Sequence, residues 1–319
     1  MSRVLVTGAT GFIGRAVTER LLSSGHSVVA AVRQSSGILG LGVKVVEVGN
    51  TSAQTDWRQE LNKVDVLIHC AGRAHIINEM VTDPLAEFRQ INTASTLNLA
   101  KQAAEVGVRR FVFISSIKVN GELTVKEAFC PDDIFVPTDP YGLSKYEAEQ
   151  GLLALVKSTD MEVVIIRPTL VYGSGVKGNF ASLLKWIEST VPLPFGAIDN
   201  KRSLVALENL VDFIIHCIDH PRAANEIFLI SDGEDVSTTE LIQKVSNAFG
   251  KKAFLLPIPV TWMRFVARVM GKTDVVNRLF GSLQVNSSKS RELLGWEPVI
   301  TMDEQLKKTV KAYLNEKAR

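Results

Sequence analysis

A phenol and an ammonium stand four residues apart in Tyr141-Gly142-Leu143-Ser144-Lys145, a spacing that puts both on one face of a helix. A free tyrosine titrates at about pH 10 and is a poor acid–base group near neutrality. A neighbouring cation stabilises the phenolate and draws the group toward the working range. Lys145 supplies one such charge. Ser115-Ser116 follow the apolar run Phe111–Ile114, so a hydroxyl emerges at the carboxyl end of a strand, where doubly wound sheets hold their ligands. Tyr141 and Lys145, with a serine hydroxyl such as that of Ser116 at a strand end, suit proton transfer at a substrate oxygen.

The second constellation is Gly8-x-x-Gly11-x-x-Gly14. It lies between the apolar run Val4-Leu5-Val6 and an amphipathic stretch carrying Ile13, Ala16, Val17 and Leu21 on one face. Glycines at this spacing allow a tight turn and close approach of a pyrophosphate, while the helix start at Phe12 and Ile13 offers N–H donors and a partial positive charge. An acid after the second strand would mark a free ribose 2′-hydroxyl. The stretch Ala30-Ala31-Val32-Arg33-Gln34-Ser35-Ser36 has none, and Arg33 with the two serines suits a 2′-phosphate. NADP(H) is therefore expected over NAD(H). Asn50 follows the third strand, where it can meet an adenine.

The elements that must position these groups alternate. Strands are predicted at Val4–Val6, Ser27–Val32, Val43–Val46, Val66–Ile68, Phe111–Ile114 and Val163–Ile166, with helices from Gly11, from Pro84 to about Val106 and from Tyr141 to about Val156. Such alternation means βαβ units and a parallel sheet covered on both faces, a Rossmann-like doubly wound α/β fold. After Arg167-Pro168 the rhythm changes to Gly/Pro-rich loops and helices. We expect residues 1–170, with a return segment near 200–230, to form the dinucleotide domain, and 171–319 to form mainly a smaller, discontinuous substrate lobe. The length of 319 residues suits that division.

Composition narrows the remaining classes. The formal net charge of +2 comes with no dense Lys/Arg block, so no nucleic-acid partner is expected. The short apolar run before Gly8 is too brief for a signal-peptide core, and no stretch approaches the roughly eighteen apolar residues of a membrane span. Cys70, Cys130 and Cys217 match neither a disulfide framework nor a zinc site, and no metal site is expected. A cytoplasmic protein with no membrane partner is the expectation.

These motifs resemble the extended short-chain dehydrogenase/reductase superfamily, in its NAD-dependent epimerase/dehydratase group. The resemblance runs over nearly the whole chain: Thr7–Gly14, His69-Cys70-Ala71-Gly72, Asn92, Ser115-Ser116, Tyr141-x-x-x-Lys145, Arg167-Pro168 and Leu293–Pro298. It implies that Ser116 binds the reacting oxygen, that Tyr141 is the acid–base and that Lys145 tunes it and holds a ribose. It further implies that Ala71 and Gly72 flank the cofactor and that Asn92 holds the helix beside the site.

In the lobe, Gly178-Asn179-Phe180 opens a helix whose N–H groups and Asn179 amide can meet a phosphate, and Arg202 can pair with the same group. The resemblance assigns both to the diphosphate of a UDP-sugar. Arg278 is a second phosphate candidate, His75 and Lys118 are candidates for the sugar pocket, and Phe195 for the uracil. The helices near 84–106 and 141–156 resemble a pair that forms a homodimer interface in relatives. Within the group, Ser115–Gly121 and Arg202–Val211 look closest to bacterial UDP-sugar 4-epimerases and C4 reductases of surface-polysaccharide synthesis. Asn120, where many 4-epimerases carry Tyr, and Arg33 favour C4 reduction of a UDP-4-keto-6-deoxy-hexosamine. The alternative is a UDP-hexose 4-epimerase acting on UDP-glucose or UDP-GlcNAc. A non-enzymatic NADP sensor ranks below both, because Tyr141 and Lys145 are present.

Overall fold

The computed structural model describes residues 1–35, 39–40, 42–74, 83–189, 191–271 and 279–318. Seven strands form one parallel sheet: β1 (Arg3–Thr7), β2 (Ser27–Val32), β3 (Lys44–Glu47), β4 (Val66–His69), β5 (Arg110–Ile114), β6 (Glu162–Pro168) and a late return strand, Ile227–Ile230. Their spatial order is β3-β2-β1-β4-β5-β6 with the return strand outermost, so the order reverses beside β1. In such sheets the crevice at the reversal, beyond the carboxyl ends, is the ligand site.

Alternate residues of each strand enter different cores, as a pleat of period two demands. Val4, Val6, Val28, Ala30, Val112, Ile114, Val164 and Ile166 face one side. There they meet Val17 and Leu21 of α1 (Phe12–Ser23). Leu5, Val29, Ala31, Phe111, Phe113, Val163 and Ile165 face the other. That side is covered by helices α2 (Pro84–Phe88) and α3 (Ser95–Glu105), joined through a π-turn at Arg89–Ala94, and by α4 (Pro140–Leu155). The strands read as unbroken apolar runs because both faces are buried.

Beyond β6 the chain builds a three-stranded sheet. It comprises β7 (Leu170–Tyr172), β8 (Arg202–Ala206) and the short pair Asp235–Val236. Helix α5 (Gly178–Glu188) lies between β7 and β8 in the chain. Helix α6 (Leu207–Asp219) follows β8 and packs back on the large sheet, after which the return strand, β9 (Ile227–Ile230), joins β6. The pair Asp235–Val236 is β10. Helices α7 (Thr238–Ala248) and α8 (Val260–Val269) follow, then α9 (Ser288–Leu294) and α10 (Met302–Lys317). Tyr172, Phe180, Leu184, Leu204, Ile242, Val245, Met302 and Leu306 form the core of this second sheet. Ser237 with Glu240 and Thr301 with Glu304 close capping boxes that start α7 and α10.

The Leu293–Pro298 segment anchors the two parts. Gly295 takes φ +65° to end α9, delivering Trp296 against Phe213 at 5.0 Å between ring centroids. The Trp296 indole N–H donates to Asp212 Oδ2 at 3.0 Å. Beyond it, fully buried Asn209 accepts from Val299 and Ile300 N–H (2.8 and 2.9 Å) and donates to Asp232 and to the Ile300 carbonyl.

Candidate active site

The glycine turn between β1 and α1 is built by close packing. Gly8 has φ +67°, and a Cβ there would stand 2.7 Å from Ala71 N. At Gly14 a Cβ would fall 2.2 Å from Gly8 O, so only hydrogen lets α1 approach β1 this closely. Helix α1 starts at Gly11 without a side-chain cap, which leaves its first N–H groups, from Phe12 and Ile13 onward, for an anion. A Cβ on Gly11 would meet nothing but Gly8 O, so this side of the turn is open. The donor set and the bare glycine surface fit a dinucleotide pyrophosphate. Arg33 and Asn50 lie exposed after β2 and β3, at the corner where the adenosine end would lie. Glu47, from the neighbouring strand, reaches the same corner and accepts from Ser35 N at 3.3 Å. An acid therefore does stand beside the segment after β2, but it comes from β3, which the pattern after β2 alone does not announce.

Asp139, followed by Pro140, caps α4 by accepting from Gly142 N at 2.8 Å. Gly142 then sits against the turn after β5, where a Cβ would be 2.8 Å from Lys118 O. That contact brings the Tyr141 phenol to the Ser116 hydroxyl, which favours the ionised form of the phenol. Burial pushes the Tyr141 phenol up to about 12, with the Ser116 hydroxyl acting in the opposite direction. The resting side chain is therefore a phenol, a proton donor. Lys118 lies beside it, its Nζ 6.0 Å from the Tyr141 ring centroid and paired with Asp139 (3.2 Å) and Glu122 (2.8 Å).

Lys145 is buried one turn further along. Its Nζ donates to Ile114 O at 2.9 Å and lies 4.5 Å from the centre of the Phe113 ring. Burial lowers its pKa to about 8, partly countered by Glu149. At that value most of it is protonated at neutral pH. Gly72 leaves the space above it: a Cβ there would stand 3.2 Å from Lys145 Nζ and 3.3 Å from Asn92 Oδ1. Asn92, inside the π-turn, donates to Ser144 Oγ and to Arg73 O at 3.0 Å each, and accepts from Arg73 N at 2.9 Å. Ser144 in turn donates to Tyr141 O. Asn92 thus joins the β4 loop to the helix that carries the tyrosine.

One supporting residue, Glu149, stands outside every motif quoted above. Glu149, fully buried two turns beyond Tyr141, takes three bonds from Arg167 (2.6, 3.0 and 3.2 Å) and one from Ser115. Arg167 also donates to Asn120 Oδ1 at 2.9 Å, and Asn120 Nδ2 donates to Cys130 O at 2.8 Å. Asn120 therefore ties a loop to β6, and its identity carries less weight for choosing a reaction than its place in the motif suggests. His69 bridges Thr7 Oγ1 (2.7 Å) and Thr96 Oγ1 (2.9 Å), and burial lowers its pKa to about 3, keeping it neutral. Glu149 stands four residues beyond Lys145, and that interval is the one signal that could have found it. Its partners Arg167 and Ser115 lie in the quoted motifs, but nothing local pairs them with it.

Asn179 is exposed in the first turn of α5, whose N-cap is Lys177 and which lacks a side-chain cap, so Asn179 is not the capping residue. Arg202 starts β8, partly buried, with Nη1 donating to Gly281 O at 3.2 Å. Burial lowers its pKa. Phe195 packs edge-on against Phe280 at 6.5 Å and is partly buried. The remaining candidates, His75 and Arg278, lie outside the described residues.

Residues 4–231 match the NAD dependent epimerase/dehydratase family. A UDP-glucose 4-epimerase of Vibrio cholerae is 49% identical over 98% of this chain and 95% of its own length. An N-acetyl-alpha-D-glucosaminyl-diphospho-ditrans,octacis-undecaprenol 4-epimerase of Escherichia coli O157:H7 is 27% identical over 81% of this chain and 76% of its own. Among solved structures, UDP-glucose 4-epimerase of Thermotoga maritima with UDP-glucose superposes with a TM-score of 0.76 at 22% identity, covering 99% of this chain and 100% of that one. UDP-glucuronic acid 4-epimerase of Bacillus cereus in complex with NAD gives 0.77 at 19%, covering 98% and 99%. These two show the fold.

Proposed function

Since the chain belongs to the NAD dependent epimerase/dehydratase family, we propose that it is a UDP-hexose 4-epimerase, with UDP-glucose or UDP-GlcNAc as the first substrates to try. The observation that carries this reading is the 49% identity, end to end, with the Vibrio cholerae UDP-glucose 4-epimerase. The Ser116–Tyr141 pair adds the chemistry. Both hydroxyls address one substrate oxygen, O4: Ser116 orients it and Tyr141 exchanges its proton. As C4 becomes a ketone, Tyr141 takes the O4 proton; after the keto sugar turns over in the pocket, it returns that proton to the opposite epimer. A bound nicotinamide supplies reversible hydride chemistry at C4. Proton uptake needs the phenolate, which Lys145 favours as a buried cation on the same helical face. Return of the proton starts from the phenol that burial favours.

Gly8, Gly11, Gly14 and the N–H groups of Phe12 and Ile13 hold the cofactor pyrophosphate in this reading, while Ala71 and Gly72 border the cofactor and Asn92 sets the β4 loop beside it. Asn50 meets the adenine. Arg33 and Glu47 exert opposite charges at the ribose, so the preference for NADP that Arg33 implies by itself is weakened, and NAD is the cofactor proposed for an epimerase. Asn179 and Arg202 hold the substrate diphosphate, Lys118 borders the sugar, Phe195 the uracil, and α2–α4 form a homodimer face.

Arg33 favours a second reading, the C4 reduction of a UDP-4-keto-6-deoxy-hexosamine. Purified enzyme given UDP-glucose or UDP-GlcNAc without added cofactor separates the two. Formation of the C4 epimer supports epimerisation, and its loss by about a hundredfold or more in Tyr141→Phe assigns the acid–base role. Turnover only of a 4-keto substrate, with one NAD(P)H consumed per product, overturns the epimerase reading in favour of the reductase.

A further inference from the structure

Helix α8 has two apolar sides. Val260 and Met263 pack inward with Phe195, Ile198 and Phe280. Outward, Trp262 is 68% exposed, Phe265 65% and Val269 74%. At 3.6 residues per turn these three lie within about 60° of arc, so they form a single stripe along the helix. Met270 at its end and Phe254 before it are also more than half exposed. A soluble surface rarely leaves so many large side chains uncovered in one short segment.

The charge along the segment that carries the stripe is one-signed. Between Glu240 and Asp274 the sequence holds six cations (Lys244, Lys251, Lys252, Arg264, Arg268 and Lys272) and no acid. The whole chain nets only +2, so everything outside this segment is net negative. Lys244 is paired with Glu234 and Asp303, and Lys251 donates to Glu188 O. Lys252, Arg264 and Arg268 have no hydrogen-bond or ion-pair partner among the described residues.

We propose that α8 and the Lys251–Leu256 segment before it dock this protein on an anionic lipid surface. Tryptophan and phenylalanine along one helical line, bordered by arginines able to reach phosphates, are the composition of a helix lying in a bilayer interface. A second copy of the chain fits less well. A two-fold contact would bring this acid-free patch against itself, setting like charges face to face. Among the described residues no helix is long and apolar enough to cross a membrane, so the attachment is peripheral. Because α8 packs on Phe195 and Phe280, the docked surface lies on the side of the lobe that carries the proposed uracil contact. The proposal rests on this surface alone and stands whichever reaction the site performs.

The test is co-sedimentation of the full chain with phosphatidylcholine vesicles, with and without phosphatidylglycerol, at low and high salt. Binding is expected only with phosphatidylglycerol and should weaken as salt rises. Two double variants separate the contributions: W262S with F265S for the stripe, and R264Q with R268Q for the charge. Each should lower vesicle affinity by about tenfold or more. The charge variant touches no core residue, so it keeps the test decisive should the stripe variant fold poorly. UDP-sugar turnover should stay within about twofold in both, the margin expected of surface changes away from the site. No binding of the wild type to phosphatidylglycerol vesicles overturns the proposal. So does unchanged binding in both variants, or a fall in oligomeric mass on substituting the stripe, which would make a second copy the occupant.

Discussion

Among the helices that begin without a side-chain cap, α1 at Gly11 and α5 at Lys177 both follow glycine-containing loops. Each exposes backbone N–H groups that favour an anion. They differ in what lies behind them. At α1 the backbone of Gly8 and Gly14 and the start of the Ala71 segment touch so closely that no side chain fits. At α5, a Cβ on Gly175 or Gly178 would meet nothing within 4 Å. One terminus is fixed by backbone packed on backbone; the other is anchored by a side chain, Phe180 stacked on Tyr172 at 5.7 Å, with open space around the glycines before it. The first arrangement suits a cofactor whose position must not vary, and the second leaves room beside the helix start for a larger, movable substrate.

That contrast is most sharply broken by adding volume at α1. Gly14→Val forces the helix away from β1, because even the first added carbon overlaps Gly8 O. Overpacking costs about 1–3 kcal/mol, and here it also displaces every N–H that meets the pyrophosphate. We expect cofactor affinity to fall by about a hundredfold or more, with a lowered melting temperature. Isothermal titration and calorimetry read both. Near-normal affinity would mean that α1 can move without cost, and the distinction between the two termini would disappear.

Much of the α1 site is legible in the sequence, since Gly8, Gly11 and Gly14 act through spacing along a single strand–turn–helix. Tyr141 and Lys145 share a helical face by their four-residue interval, and they gain meaning from the glycine motif and the serine at the end of β5 that accompany them. The inner strands β1, β2, β4, β5 and β6 are readable because they are buried on both faces and so are apolar along most of their length, whereas the edge strand β3 is largely exposed. Asn92 is different: its role depends on a π-turn that aims its amide at Ser144 and Arg73, and no local pattern announces such a turn. Glu149 shares a helical face with Tyr141, but its partners Arg167 and Ser115 come from other strands, so the pair exists only once the sheet has assembled. The lobe is least legible, because Asn179 and Arg202 stand at the starts of α5 and β8, where the loops before each element decide what they meet.

Two smaller effects sharpen the comparison. Arg202→Ala should raise the KM for a UDP-sugar by about tenfold, the lower end for a charged hydrogen bond, and leave cofactor affinity unchanged. Competitive inhibition by UDP should weaken by the same factor, and equal inhibition of both enzymes would remove Arg202 from the diphosphate site. Arg33→Ala should weaken NADPH relative to NADH by up to about tenfold, since Glu47 already offsets part of the arginine's charge. Titrating the wild type and the variant with both cofactors checks this; an unchanged ratio means that Arg33 does not reach the ribose.

The smallest effect expected is at Gly178, the counterpart in α5 of the crowded glycines at α1. Its φ of +66° is a left-handed conformation that disfavours any other residue, yet the space around it is open. Gly178→Ala therefore meets no clash and carries only the backbone penalty, about 1–2 kcal/mol. Thermal or urea unfolding should register that loss, while cofactor titration should remain within about twofold of wild type. The KM for a UDP-sugar should rise only modestly, because the loop can carry the new alanine toward an unstrained φ at the expense of the α5 terminus. A loss of cofactor binding comparable to that of Gly14→Val would show that the α5 terminus is coupled to α1 after all. A KM increase with no change in stability would instead place the Gly178 backbone itself against the diphosphate.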